Sequence, residues 1–242
     1  MPRPPAPQVK PVSTRGPSGV LIGTVVVLVV ALIAGLVWAA TRNTSDLSAV
    51  GPSSTLPEGG GISTGPGPEA DVPQVHVYGD FQCPWCGVLE DAIGDDVQQL
   101  VADGEINLTV TLMSFLDGQV RGEGSLRAAN AALCADDVDL FLPYYQTVYT
   151  ERPQQGGGVS DEQLVAYARQ VGIDGDELDT FRSCVDDRTH EEYVHAMQER
   201  ANRDGVTGTP RVFIDGTQIT DEQMTDLMEE VTTLDAVVQA HS

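Results

Sequence analysis

The chain has 242 residues, and 13 basic against 36 acidic side chains leave a formal charge of −23. That balance excludes a nucleic-acid ligand, because phosphate binding needs clustered cations and no basic stripe is present. The charge is also divided: the first 42 residues hold Arg3, Lys10, Arg15 and Arg42 and no acid, while the remainder carries 9 basic against 36 acidic groups, as in a membrane protein with one segment on each side.

Residues 1–18 contain six prolines and no helical period, which predicts a short extended cytoplasmic tail; a proline-directed partner is the alternative to a merely orienting arm. From Gly19 to Ala40 run 22 uncharged residues rich in Val, Leu, Ile and Ala. A helix of that length spans roughly 33 Å, enough for a hydrocarbon core of about 30 Å. A cleaved signal peptide is the competing reading, but its apolar region runs only about 7–15 residues. Three cations precede the segment and one follows it, so the N-terminus is expected in the cytoplasm and the rest outside, on a single-pass cell-membrane anchor. Residues 41–71 read as a linker, since ten of the twenty residues from Gly51 to Ala70 are Gly or Pro.

Residues 72–242 are then one domain. Gln74–Tyr78 alternates Val75 and Val77 with His76 and Tyr78 and predicts a strand; a helix opens at Pro84, continues through Leu89, Ile93, Val97 and Leu100, and stops at Asp103-Gly104. Ile106–Leu116 predicts a second, buried strand. Beyond Gly118, helices are expected around 125–135, 137–149, 161–171, 176–185 and 190–203, with Ser160, Asp174 and Thr189 offering caps. Arg211–Ile214 and Thr217–Ile219 about an Asp215-Gly216 turn predict a hairpin. One final helix is expected, with Met224, Leu227, Met228, Val231, Leu234 and Val238 on a stripe. The order is that of an α/β core with an all-helical insertion at about 118–204.

Chemistry concentrates at Cys83-Pro84-Trp85-Cys86, where the first strand passes into the first helix. Two thiols separated by two residues can close a disulfide across the first helical turn, and the first faces unpaired backbone N–H groups that favour a thiolate. Pro84 suits the first helical position, and Trp85 offers an apolar surface to substrate. Zinc is the alternative for such a pair, but it wants a second close pair of ligands, whereas Cys134 and Cys184 stand fifty residues apart; no metal and no cofactor are expected. His190 and His195 are spaced five apart, not the four a metalloprotease pair needs, and read as surface residues.

Three stretches resemble the DsbA-like thiol-disulfide oxidoreductases, in particular the membrane-anchored actinobacterial forms: Tyr78-Gly79-Asp80-Phe81-Gln82-Cys83-Pro84-Trp85-Cys86, Arg127-Ala128-Ala129-Asn130-Ala131-Ala132-Leu133-Cys134, and Gly205-Val206-Thr207-Gly208-Thr209-Pro210. The resemblance covers about residues 73–240 and implies a thioredoxin fold with a helical insertion. It also implies that Pro210 is a cis proline facing the cysteines and that the Thr209 backbone pairs with an extended substrate. One departure is Val77, which stands where many such proteins have a buried acid that takes a proton from the second thiol; Asp80 is nearer but reads as a turn and capping residue.

Cys134 and Cys184 fall in the inserted helices. An oxidising compartment favours a structural disulfide between them, with a second redox relay as the alternative. The expected function is an extracytoplasmic enzyme that introduces disulfides into reduced or unfolded secreted proteins. Cys83 is its nucleophile and Cys86 resolves the mixed disulfide, while a membrane partner of the vitamin K epoxide reductase or DsbB type reoxidises the pair. A reductase, for example in cytochrome maturation, and a non-enzymatic binding or chaperone module are the alternatives.

Overall fold

The computed structural model describes residues 51–120, 122–151 and 158–241. The expected tail, membrane helix and first part of the linker lie outside the described residues, and among the described residues no helix is long and apolar enough to cross a membrane.

At the centre is a five-stranded sheet. Its strands in chain order are β1 (Ile62–Thr64), β2 (Gln74–Gly79), β3 (Asn107–Leu112), β4 (Arg211–Ile214) and β5 (Thr217–Gln218), arranged β1-β3-β2-β4-β5. Only β2 and β3 run parallel, in register from Gln74↔Asn107 to Gly79↔Leu112, and the helix α1 (Pro84–Ala102) makes the crossover between them. The two-residue period of the strands divides the molecule into two faces. Val75, Val77, Leu108, Val110, Leu112, Val212 and Ile214 enter the main core, whereas Tyr78 and Phe213 join a smaller cluster with Met113 and Val206. His76 follows Tyr78: its ring stacks on the tyrosine at 4.2 Å and its Nε2 lies 2.8 Å from Thr111 Oγ1.

Helix α1 starts where the sequence dictates, with Pro84 at its first position, and buries Leu89, Ile93, Val97 and Leu100. Each such side chain contributes roughly 1.5–3 kcal/mol by leaving water. Gly104, at φ +70°, turns the chain out of the helix in the left-handed conformation that glycine tolerates. The inserted helices are α2 (Gly124–Asp136), α3 (Phe141–Glu151), α4 (Asp161–Gln170), α5 (Gly175–Asp186) and α6 (Glu191–Arg203). Helix α2, almost wholly buried, packs on α3, α5 and α6; α3 packs on α1, and α6 packs on β3. Where the insertion meets the core, Gly124 and Gly158 pass back to back, so that a β-carbon on either would lie 2.7 Å from the other's Cα.

Four expectations change. The described part of the segment read as linker, from residue 51 on, is part of the fold: Ile62 is fully buried, β1 pairs antiparallel with β3, and Tyr193 donates to the Leu56 and Gly61 carbonyls at 2.6 and 2.9 Å. A Gly- and Pro-rich stretch does this because an edge strand is held by backbone bonds, and Gly61 at φ +104° fits where a β-carbon would meet the Val110 carbonyl. The strand expected to Leu116 ends at Leu112, because the Leu116 N–H is claimed by the Asp80 carboxylate and Phe115–Gly118 curls into a 3-10 turn. Thr189 is not the cap of α6; His190 is, its N–H donating to Asn130 Oδ1 at 2.8 Å. The final helix is two, α7 (Asp221–Met228) and α8 (Leu234–His241), separated at Glu230 by a positive φ of 55°, with Thr233 Oγ1 accepting from the Ala236 N–H to start α8. Val231, expected on the buried stripe, is 69% exposed.

Candidate functional site: the cysteine pair at the start of the first helix

Strand β2 ends at Gly79, and Asp80-Phe81-Gln82 turns the chain into α1, with Cys83 as the N-cap. The turn is built on Asp80. Its carbonyl accepts from the Cys83 N–H at 2.9 Å, and its fully buried carboxylate accepts from the Gln82 and Leu116 N–H groups and from the Ser125 hydroxyl. Burial nevertheless pushes the Asp80 carboxyl up to about 6, against those three hydrogen bonds. The Gln82 amide donates to Asp117 at 2.6 Å and to Ser125 at 2.8 Å, and Asp117 in turn accepts from the Ser125 and Leu126 N–H groups that open α2. Asp80 therefore does more than the capping assigned to it from sequence: it ties the cysteine loop to the insertion.

Cys83 and Cys86 are unbonded, and both are buried. They differ in what surrounds them. Cys83 is held at about 6, chiefly by a hydrogen bond from the Cys86 thiol; burial opposes this, and the Thr209 side-chain hydroxyl and the N–H groups of Cys86 and Trp85 add to it. Cys86 is pushed well above the ordinary thiol range by burial first, and then by its bond to Cys83 and the charge there. As a thiol, Cys83 donates to the Thr209 carbonyl at 3.4 Å, and Thr209-Pro210 is a cis peptide. The structure thus brings Cys83, Cys86, Thr209 and Pro210 together. Trp85 lies on the outer side of the same helical turn, 63% exposed. The Thr209 hydroxyl is buried beside the two sulfurs and favours the charged form of each.

On the inner side of Cys86 stand residues that sequence reasoning missed. Tyr145 and Tyr149 of α3 are buried against Phe81, with ring centroids 5.7 and 4.8 Å away, and burial raises both phenols well above their ordinary range. Glu90, one turn after Cys86 on α1, shares a hydrogen bond with Tyr145. The four-residue spacings Cys86–Glu90 and Tyr145–Tyr149 were the available signal, since such pairs share a helix face.

Cys134 and Cys184 are joined, with sulfurs 2.01 Å apart. His190, expected at the surface, is buried next to them, its Nε2 2.8 Å from Asp137 Oδ2; His195 is exposed. The imidazole and the two sulfurs lie within 4.8 Å of one another, but bonded sulfurs supply no thiolate to a metal.

The thioredoxin family model matches residues 63–232. The chain belongs to the thioredoxin family. Among structures similar to this thioredoxin domain are MdbA of Corynebacterium diphtheriae, described as a thiol-disulfide oxidoreductase, with 22% identity, 78% of this chain and 97% of that one covered and a TM-score of 0.61, and reduced DsbA of Mycobacterium tuberculosis, with 25% identity, 80% and 98% covered and a TM-score of 0.54. A curated relative, the serine/threonine-protein kinase PknE of M. tuberculosis, is 26% identical over 157 residues, which is 62% of this chain and 28% of the kinase. The thioredoxin chain therefore spans less than a third of that relative's length.

Proposed function

We propose that this thioredoxin-family protein is a DsbA-like thiol-disulfide oxidoreductase, anchored in the cell membrane by residues 19–40, which introduces disulfides into reduced secreted proteins outside the cytoplasm. The observation that carries the reading is the placement of Cys83: it caps α1, faces the Thr209 carbonyl across 3.4 Å, and has its unbonded partner one turn deeper. In the oxidised enzyme a substrate thiolate attacks the Cys83 sulfur, Cys86 departs, and a second substrate thiol then breaks the mixed disulfide and releases Cys83 as a thiolate. That thiolate is stabilised by the Cys86 thiol and the helix N-terminus, so reduction of the enzyme is favoured and substrate is oxidised. Trp85 offers the apolar surface, and the Thr209 backbone the polar edge, against which an extended chain is positioned. Cys134–Cys184 serves structure. Reoxidation falls to a quinone-linked membrane protein of the DsbB or vitamin K epoxide reductase class.

The test is the equilibrium of the Cys83–Cys86 pair with glutathione, together with trapping by Cys86→Ala. A strongly oxidising potential and mixed disulfides through Cys83 support the oxidase. A thioredoxin-like potential, about −270 mV, would turn the direction to reduction. No mixed disulfides at all would leave only a binding module.

A further inference from the structure

Disulfide exchange requires Cys86 to lose and regain a proton in a place sealed from water. Val77, fully inside the core, offers no acid to take it. Gly79 faces this place: a β-carbon there would stand 2.8 Å from the Tyr149 hydroxyl and 3.9 Å from both the Cys86 sulfur and the Tyr145 hydroxyl. The sulfur and the two hydroxyls thus converge on the space glycine leaves open. Tyr145 shares side-chain hydrogen bonds with Tyr149 and with Glu90. A carboxylate only accepts, so Tyr145 donates to Glu90 and is left to accept from Tyr149. Glu90 in turn lines a cleft of about 450 Å³ between α1 and α3, together with Gly94, Gln146 and Thr147. Phenylalanine would fill either tyrosine site equally well, so packing alone does not call for two hydroxyls in the core.

Resting on the oxidoreductase reading above, we propose that Tyr149, Tyr145 and Glu90 form the proton route between Cys86 and solvent. When Cys86 attacks the Cys83 sulfur of a mixed disulfide, the Cys83–Cys86 bond forms, the bond to the partner sulfur breaks, and the electron pair leaves on that sulfur. The Cys86 proton passes to Tyr149 as Tyr149 hands its own to Tyr145 and Tyr145 hands its own to Glu90. In the opposite direction an incoming thiolate expels Cys86, which is reprotonated along the same row. The raised phenols stay neutral throughout and carry the proton by exchange.

The other groups facing Cys86 are Cys83, whose sulfur is held in a disulfide in both directions and takes no proton, the Thr209 hydroxyl, and Asp80 at the end of β2. Asp80 turns its backbone N–H to the Cys86 sulfur, while its carboxylate is occupied by Ser125, Gln82 and Leu116 and is wholly enclosed, so a proton taken there has no exit.

The experiment mixes the reduced full chain with glutathione disulfide and follows, by acid quench and mass spectrometry, formation of the Cys83–glutathione disulfide and then its resolution by Cys86. Tyr149→Phe and Glu90→Gln should each slow resolution roughly tenfold at pH 7 and move its pH profile upward, with the first step unchanged; Glu90→Asp should recover part of the rate. Tyr145→Phe replaces Tyr149→Phe if that variant loses its near-ultraviolet circular dichroism. Unchanged resolution rates and pH profiles with a normal first step would overturn the route, as would slowing by Asp80→Asn but not by Glu90→Gln. A wild-type chain that never forms the glutathione disulfide would instead sink the oxidoreductase reading, and the route with it.

Discussion

The two cysteine pairs of this protein have the same atoms and opposite settings. Cys134 and Cys184 come from different helices of the insertion, lie 50 positions apart and are bonded deep in the α2–α5 contact. Cys83 and Cys86 sit on one helical turn, unbonded, between an exposed tryptophan and a buried row of hydroxyls. The first pair closes a long loop and has little to react with. The second closes almost no loop and is surrounded by groups that treat its two sulfurs differently. Reactivity here is set by neighbours, and stabilisation by the length of chain enclosed.

That contrast can be broken most severely at Cys83. Cys83→Ser should abolish oxidation of a two-cysteine peptide, read by loss of free thiol; turnover near the wild-type rate would mean that the other pair does the chemistry. The next effect belongs to Cys134→Ala/Cys184→Ala. Removing a closed loop of this size should lower stability by about 4 kcal/mol in the chain-entropy model, seen as a lower denaturant midpoint, while peptide oxidation stays within about twofold. Loss of turnover in a folded double variant would make that pair a relay.

The difference between Cys83 and Cys86 should appear in alkylation. With Cys83 at about 6, its modification by iodoacetamide in the reduced protein should be half-maximal near that pH, and Cys86 should lag throughout. Modification of Cys86 first would reverse the assigned roles.

Stability against pH should sharpen the contrast further. Cys83 is lowered from 9.0 to about 6, so in the reduced protein it contributes stability fully above about 9 and loses it as pH falls through 6. Asp80 is raised from 3.8 to about 6 and acts in the opposite sense, contributing below about 4 and losing that contribution as pH rises through 6. The reduced form should therefore gain on the oxidised form between pH 6 and 9, measured as the difference in melting temperature. A difference flat across that window would mean that no Cys83 thiolate is stabilised. The smallest effect is expected at Trp85: Trp85→Ala removes an exposed surface, so it should weaken peptide oxidation only a few-fold through KM and leave alkylation of Cys83 unchanged.

Much of this was readable from sequence because the signals were local. A strand-to-helix junction with cysteine, proline and cysteine places two sulfurs on one turn whatever lies around it, and the alternation of Val75 and Val77 set the face of β2. The remainder depended on groups far apart in the chain. Ile62 could be recognised as a strand residue only by its burial against β3, since Gly- and Pro-rich surroundings carry no period of their own. Asp80 looked like a turn residue because its four-way role needs Leu116 and Ser125, and Tyr145 and Tyr149 looked like ordinary core because nothing in α3 says that Gly79 leaves room for their hydroxyls. The break at Glu230 was hidden by a continuous apolar stripe: the period persists in the sequence while the backbone does not.

The back-to-back glycines Gly124 and Gly158 also bear on the cysteine loop. A β-carbon at Gly124 would meet the Gln82 side-chain oxygen at 2.8 Å as well as Gly158, and Gln82 immediately precedes Cys83. Mutational costs at the two glycines should therefore be strongly non-additive. Once one methyl has forced the crossing segments apart, a second finds the gap already open, so the double variant should cost less than the sum of the singles. Gly124→Ala should in addition disturb thiol reactivity more than Gly158→Ala does, because only the former pushes directly on the residue that leads into the reactive turn.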